Sequence, residues 1–254
     1  MRQRRRWTVD DEPHLIIRTL SVTYDAAGRV ASHRHSVPQL LYARAGALRA
    51  EVAGTLWLVP PRRALWIPAG TEHGLVALGS VDLRTLYCGL SNLEDWVEVR
   101  SLTVCGLLHE ALLRACDLGG LDARRPDQRR LADLIGDELR DADRIPELLT
   151  MPRDPRARRL ADLMLERMGD GASLDPLLTE AGLSRRTAER LFYAQTGLSP
   201  ARWRQQACLA ASFERLAAGA RVTEVALAAG YASPSAFSAA FKRVLGIAPR
   251  DVRI

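Results

Sequence analysis

Two histidines stand one residue apart in the segment SHRHSVPQLLYARAG, which covers residues 32–46. Imidazole is the commonest metal-ligating side chain, and His33 and His35 are followed by Gln39 and Gly46. Alternate residues of a strand face the same side, so both imidazoles would point into one cavity if this segment is a strand. The segment raises two alternatives, a catalytic metal centre or a pocket that binds a ligand without catalysis.

Short strands are predicted for the region from Leu15 to Leu86 that surrounds this segment. Its runs of Val, Leu, Ile, Tyr and Trp are separated by glycine and proline residues. Short strands at this spacing are typical of a β-sandwich or a β-barrel. The two histidines can therefore both point into the interior of a barrel.

Helices are predicted after these strands, where apolar residues recur at helical spacing. One helix is expected at about 102–117, with Leu102 on its apolar face. A second helix is expected at about 126–142 and begins with Pro126. The polar segment 150–159 contains two prolines and is predicted to be a linker, and the chain beyond it is predicted to be helical.

The positive charge of the chain is concentrated in its carboxy-terminal part. Residues 153–254 contain 16 basic and 10 acidic residues, an excess equal to the net charge of +6, whereas residues 1–152 contain 20 of each. A basic domain beside a neutral one indicates a polyanionic partner, because neutralising phosphates releases bound counterions. No stretch approaches the roughly 18 to 20 apolar residues of a membrane span, so no membrane partner is expected.

The four cysteines have neither metal-like nor disulfide-like spacing and are expected to be reduced thiols. The basic start MRQRRR is not followed by an apolar stretch, so it is predicted to be a solvated terminus rather than a secretory signal. The expected location is therefore the cytoplasm.

Two segments of the basic part share one pattern, LDPLLTEAGLSRRTAERLF at residues 174–192 and VTEVALAAGYASPSAFSAAF at residues 222–241. Each has a short amphipathic helix, a turn at Gly182 or Gly230 where left-handed φ is allowed, and a serine that can cap a second helix. This is the helix-turn-helix pattern, whose second helix enters the major groove of DNA. Residues 200–219 are predicted to be one long helix that holds the units about one turn of DNA apart, ~34 Å.

These segments, with TGLSPARWRQQ and FKRVLGIAPRDVR beside them, resemble the DNA-binding domain of the AraC/XylS family of bacterial transcription factors. The resemblance covers about residues 155–254, although Cys208 stands where the family usually has arginine. It implies a double-stranded DNA operator as partner, with RNA polymerase as a further partner. The side chains predicted to contact DNA are Ser184, Arg185, Arg186, Glu189 and Arg190 in the first unit and Ser233, Ser235, Lys242 and Arg243 in the second.

Base reading is predicted mainly for the first unit. Arg186, Glu189 and Arg190 stand at the family's base-reading positions, where arginine can contact guanine and glutamate can accept a hydrogen bond from cytosine. The second unit has few hydrogen-bonding groups on the corresponding face, so Ser235 is expected to read bases weakly. Lys242 is expected to contact phosphate.

A second motif, IPAGTEHG, contributes Pro68, Gly70 and His73. With the first segment it resembles the paired metal-binding motifs of cupins, and the cupin sensors of one subgroup of the same regulator family. Gln39 replaces the glutamate of cupin enzymes, and Arg62 and Ala77 replace the glycine and asparagine at the ends of the second motif. The resemblance implies a site for Fe, Ni, Co, Zn, Mn or Cu at His33, His35, Gln39 and His73, with Trp57 and Trp66 at the mouth of an effector pocket.

The predicted fold is a two-domain α+β protein. Residues 1–95 are expected to form a cupin-type β-barrel that acts as the sensor, and residues 96–149 a helical dimerisation and linker segment. Residues 150–254 are expected to form an all-α domain, with two helix-turn-helix units joined by a long helix.

The leading hypothesis is a homodimeric transcriptional regulator whose cupin domain senses a small effector or a divalent transition metal. Three imidazoles without a carboxylate offer no general base, so the chain is not expected to be an enzyme. Two alternatives stay open at this point. One is a cupin metalloenzyme with a DNA-binding tail, and the other is a degenerate barrel that serves only dimerisation.

Overall fold

The structure, a computed structural model, describes residues 14–25, 28–145, 149–167, 173–217, 219–245 and 248–252. The basic start of the chain lies outside the described residues. The described chain divides into two compact units. The first contains the residues up to 53 and residues 59–145, and the second contains residues 54–58 and the described residues from 149 onward.

The elements alternate between strands and helices only in the middle of the chain. The strands are β1 (Leu15–Tyr24), β2 (Arg29–His33), β3 (Gln39–Ala45), β4 (Leu48–Val52), β5 (Thr55–Val59), β6 (Arg63–Ile67), β7 (His73–Ala77), β8 (Val81–Cys88), β9 (Arg100–Thr103), β10 (Gly120–Asp122), β11 (Arg144–Ile145) and β12 (Leu149–Thr150). The helices are α1 (Gly106–Asp117), α2 (Pro126–Asp141), α3 (Pro155–Glu166), α4 (Leu174–Glu180), α5 (Arg185–Thr196), α6 (Pro200–Ala217), α7 (Val222–Ala228) and α8 (Pro234–Leu245). None of the described helices is both long enough and apolar enough to cross a membrane.

The first unit contains two antiparallel sheets. The larger has seven strands in the order β10-β1-β8-β3-β6-β9-β11, and the smaller contains β4, β7 and β2 side by side. Gly46, in the tight connection between β3 and β4, has a φ of +71°, and an added Cβ would meet the backbone oxygen of Ser80 at 2.1 Å. Only glycine fits this close approach of two chain segments. The predicted two-domain α+β fold is confirmed.

One face of the large sheet is covered by α1 and α2. Alternate strand residues such as Leu40 and Tyr42 are fully buried, and they form one hydrophobic cluster with the helices. Helix residues in that cluster include Leu108, Leu112 and Ile135. These helices therefore pack on the strands of the same unit, and burial of their apolar stripes is the main force that holds them there.

The helix predicted at about 102–117 begins later than expected, and the prediction is wrong for Leu102. This residue lies in β9 and pairs with Ala64 of β6. Leu102 and Leu108 belong to the same buried cluster, so a strand followed by a helix imitates a continuous helical stripe. The helix starts at Gly106 because the thiol of Cys105 caps it by accepting a hydrogen bond from the Leu108 amide.

Both helix-turn-helix units are present in the second unit. Helices α4 and α5 flank Gly182, whose φ is +66°, and α7 and α8 flank Gly230, whose φ is +78°. The hydroxyl of Ser184 accepts a hydrogen bond from the Thr187 amide at 3.2 Å, so Ser184 is the N-cap predicted for α5. Helix α6 spans 18 residues between the two helix-turn-helix units, as the sequence indicates.

The phenylalanine and tryptophan residues in the helices of the second unit are buried and hold these helices together. Phe192 of α5 packs edge-on against Trp203 of α6, with ring centroids 5.7 Å apart.

The predicted linker at 150–159 is mostly replaced by regular structure, because α3 already begins at Pro155. Asp154 caps this helix by accepting hydrogen bonds from its first amides, and proline at the first helical position favours the same start.

Candidate metal site and candidate nucleic-acid interface

Three imidazoles converge in the first unit. The ring centroids of His33 and His73 are 4.4 Å apart, those of His35 and His73 5.0 Å, and those of His33 and His35 5.9 Å. One nitrogen from each ring lies within 4.8 Å of the others. The strand register brings this about, because His33 of β2 pairs with His73 of β7.

Each imidazole is oriented in the same way. The Nδ1 atoms of His33, His35 and His73 lie 2.6 to 2.9 Å from backbone carbonyl oxygens two residues away. Because a carbonyl oxygen only accepts, each Nδ1 donates, and each Nε2 keeps a lone pair. Metal-ligating histidines are oriented through their second nitrogen in this manner.

The Nε2 atom of His73 is buried and has no hydrogen-bond partner among the described residues. Burial, with His33 and His35 close by, lowers the pKa of His73 to about 4, so this imidazole is neutral at pH 7. An unpaired buried nitrogen costs free energy unless something binds it. Three converging imidazoles suit a first-row transition metal, so these residues fit the ligand set that the sequence suggested.

Gln39 is brought to the same place. Its side chain is only 4% exposed, and its Oε1 lies 2.9 Å from Nε2 of His35. With the proton of His35 on Nδ1, a 180° rotation of the Gln39 amide would place its NH₂ group there, and this group would donate to Nε2. The amide can alternatively offer its oxygen to a metal. In either case the neutral amide adds no charge to the site.

Of the two tryptophans predicted at the pocket mouth, Trp66 is not brought together with the histidines, and the role of Trp57 stays a prediction. Trp66 lies on the sheet face under the helices, where its Nε1 donates a 3.1 Å hydrogen bond to the carbonyl oxygen of Trp96. Neighbouring residues of a strand point to opposite faces. Trp66 of β6 packs beneath the helices, so Ile67 points to the other face of the sheet. Trp57 is buried in β5, and residues 54–58 belong to the second unit.

Tyr87 is a pocket residue that sequence reasoning missed. Its ring contacts that of His35 edge-on, with centroids 5.1 Å apart. Tyr87 pairs with Gln39 across β8 and β3, so both side chains stand on the same face of the sheet. Only the strand pairing reveals this neighbourhood, because Tyr87 is far from the histidine motifs in sequence.

The second helix of the first helix-turn-helix unit presents a charged surface. Arg186, Glu189 and Arg190 are exposed on α5, as predicted. Arg185 is also exposed, but its guanidinium forms a 2.6 Å ion pair with Asp175 of α4. Arg185 is therefore directed toward the preceding helix, and the other three remain available for DNA.

Tyr193 extends the exposed surface of α5 by another turn. It is 72% exposed and lies three residues after Arg190 and seven after Arg186, so all three share one face of the helix. The sequence analysis did not select it. The sequence signal for Tyr193 was an aromatic residue directly after Leu191 and Phe192, the buried pair that ends the apolar stripe of α5.

The corresponding surface of the second helix-turn-helix unit, on α8, is less charged. Ser235, Lys242 and Arg243 are exposed on α8, where predicted. Ser233 caps this helix by accepting a hydrogen bond from the Ala236 amide at 3.2 Å. Apart from Ser235, the first two turns therefore offer mainly small apolar side chains to a DNA groove.

Comparison with known proteins identifies the family. A helix-turn-helix domain family matches residues 177–254. The HTH-type transcriptional regulator NimR of Escherichia coli K12 is 31% identical over 217 residues, which cover 85% of this chain and 80% of that protein. The chain belongs to the AraC/XylS family. It is a DNA-binding transcriptional regulator of the AraC type, as the sequence motifs indicate.

Solved structures similar to this AraC/XylS regulator include ToxT from Vibrio cholerae and KdgF from Halomonas. ToxT is 11% identical and has a TM-score of 0.38, with coverage of 92% of this chain and 97% of ToxT. KdgF is 27% identical and has a TM-score of 0.28, with coverage of 29% of this chain and 69% of KdgF. Both superpositions are loose, and the family assignment depends on the relative from E. coli.

Proposed function

We propose that this AraC/XylS regulator senses a divalent transition metal through His33, His35 and His73 and reads its operator mainly with α5. The observation that carries the sensing proposal is the shared orientation of the three rings. Each Nδ1 is held by a backbone carbonyl, and the three remaining nitrogens converge. Such an arrangement prepares a ligand set for a metal before the metal arrives.

Sensing accounts for this site better than catalysis does. A cupin enzyme would need an acid–base group beside the metal, and the amide of Gln39 can neither accept nor release a proton at neutral pH. A barrel that serves only dimerisation has no use for the unpaired, buried Nε2 of His73. An ion bound there would satisfy this nitrogen, so the metal sensor agrees with both observations.

Base reading is assigned to Arg186, Glu189 and Arg190, whose side chains share the exposed surface of α5. Lys242 and Arg243 of α8 are assigned to phosphate contacts, which position the protein without reading sequence. A homodimer and a contact with RNA polymerase stay predictions from the family resemblance.

Replacement of Arg190 with alanine should weaken operator binding by about 1 to 3 kcal/mol and relax the preference at one base pair. Arg185→Ala is the matched control, because Arg185 lies at the start of the same helix, α5, and is engaged by Asp175. Fluorescence anisotropy with operator and random duplexes measures both effects. Equal losses on the two duplexes, or an equal effect of Arg185→Ala, would contradict the assignment.

The sensing function is tested by selecting duplexes from a random library with the full chain, once in chelator and once with added Ni²⁺, Co²⁺ or Zn²⁺. Metal is expected to change the affinity for the selected sites or the preferred spacing of their half-sites, because it must favour one protein conformation over another. His33→Ala should abolish this response, whereas His14→Ala, which removes a histidine outside the cluster, should retain it. Identical selection by the wild-type chain under all conditions would refute metal sensing.

A further inference from the structure

A row of four side chains crosses the large sheet at the level of the three histidines. Arg18 of β1 pairs with Tyr87 of β8, Tyr87 pairs with Gln39 of β3, and Gln39 pairs with Ile67 of β6. Residues directly opposite each other on neighbouring strands point to the same face, with Cβ atoms about 5 Å apart. The four side chains therefore share one face.

That face is the one that meets the imidazoles. The Gln39 amide lies 2.9 Å from Nε2 of His35, and the Tyr87 ring packs against the His35 ring. Arg18 is the next residue in the row beyond Tyr87, and it is partly buried. The strand pairing thus starts the Arg18 side chain on the face that carries the histidine cluster, and an arginine side chain is long enough to reach along that face.

The described side chains of this row and of the histidine cluster supply no negative charge to a bound metal. Imidazoles bound to a metal and the Gln39 amide carry no charge, so a dication would keep both positive charges. Glu72 precedes His73 in sequence, but it is exposed and accepts a 2.9 Å hydrogen bond from the hydroxyl of Ser32. Buried charge of one sign is costly unless a counter-charge accompanies it.

We propose that the effector is a small carboxylate whose acid group lies between the metal held by the three histidines and the guanidinium of Arg18. This inference depends on the metal site proposed above. Arginine is suited to the role because its planar fork of N–H groups matches both oxygens of a carboxylate. Arg18 has another interaction within the protein, and its five N–H donors leave others for a ligand.

Gln39 has a specific part in this recognition. A carboxylate at position 39, as in cupin enzymes, would supply the negative charge from the protein itself. The neutral amide leaves that charge to be supplied by the ligand, so metal and acid would bind together. The regulator would then respond to the pair and bind each partner more weakly alone.

Cobalt(II) is a suitable probe, because its visible absorption changes when a new ligand enters its coordination shell. The full chain is loaded with Co²⁺ and titrated with acetate, and then with acetamide, a neutral molecule of the same shape, at constant ionic strength. Acetate is expected to change the spectrum, and acetamide is not. Arg18→Gln should weaken acetate binding at least tenfold, because it removes a charged hydrogen-bonding partner.

Arg29→Gln is the matched control, since Arg29 is an exposed arginine of β2. It should bind acetate like the wild-type chain. Uptake of one Co²⁺ by Arg18→Gln would show that this variant keeps its histidine cluster. Unchanged acetate binding in that variant, or an equal response to acetamide, would overturn the carboxylate proposal alone. Failure of the wild-type chain to take up Co²⁺ would overturn the metal site and this proposal with it.

Discussion

Replacement of Trp203 with alanine is expected to lower the free energy of opening of α5 and α6 by about 3 to 5 kcal/mol. Trp203 is fully buried and packs edge-on against Phe192, and its Nε1 donates a 2.8 Å hydrogen bond to the carbonyl oxygen of Thr150. Alanine would leave a cavity and remove this hydrogen bond. The loss is a large part of the stability of an ordinary domain.

Native-state hydrogen exchange measured by mass spectrometry is the appropriate assay, because the chain has two units and a single unfolding transition cannot be assumed. Protection of α5 and α6 should fall, whereas protection of α1 and α2 in the first unit should not change. Trp203→Phe keeps a ring beside Phe192 and loses only the hydrogen bond and some volume, so its effect should be smaller, about 1 to 2 kcal/mol.

The effect of Trp203→Ala should extend to DNA binding. On α5, Phe192 follows the exposed Glu189 and Arg190 and precedes the exposed Tyr193. Its contact with Trp203 therefore fixes the angle at which the exposed surface of α5 meets DNA. If α5 is packed less firmly, the free energy of DNA binding is reduced by the cost of ordering the helix on DNA. Full protection of α5 in Trp203→Ala would show that Phe192 is held by other contacts.

The helix-turn-helix units could be predicted from sequence because their signals are local. A glycine with left-handed φ, a capping serine and an apolar stripe all fall within about twenty residues, and the pattern occurs twice. The start of α1 could not be placed in the same way. Leu102 occupies a position that both a strand and a helix would bury, and its pairing with Ala64 decides between them.

The candidate metal site was predicted only in part for a related reason. His33 and His35 reveal themselves by their spacing, and His73 by its motif, and the structure brings all three together. Trp66 and Tyr87 could not be assigned, because the face on which a strand residue stands depends on strand register. A shift of one residue exchanges the two faces, so Trp66 joins the helices while Ile67, its neighbour, faces the pocket.

Arg185 illustrates a different limit. Its position at the start of α5 suggested a DNA contact, and the ion pair with Asp175 depends on how α4 packs against α5. An exposed ion pair of this kind contributes little to stability, about 0 to 1 kcal/mol. It nevertheless determines where the guanidinium points before DNA arrives, and this orientation distinguishes Arg185 from Arg186 and Arg190.

Metal binding is expected to stabilise the first unit by about 4 kcal/mol when free metal is a thousandfold above its dissociation constant. The increase follows from mass action, because the three imidazoles are assembled by the pairing of β2 with β7 and are separated in the unfolded chain. Hydrogen exchange in β2 and β7, with and without Zn²⁺, measures this increase directly.

His33→Ala should remove most of this stabilisation. Loss of an outer-shell partner already costs 10- to 100-fold in metal affinity, so loss of a ligand should cost at least a hundredfold, about 2.7 kcal/mol at the same metal concentration. His33 is only partly buried, so the metal-free variant should exchange like the metal-free wild type. His14→Ala should keep the full stabilisation, because His14 contacts Asp122 outside the cluster. Equal protection of the wild type and His33→Ala by Zn²⁺ would mean that the metal binds elsewhere, and the three converging nitrogens would then require another explanation.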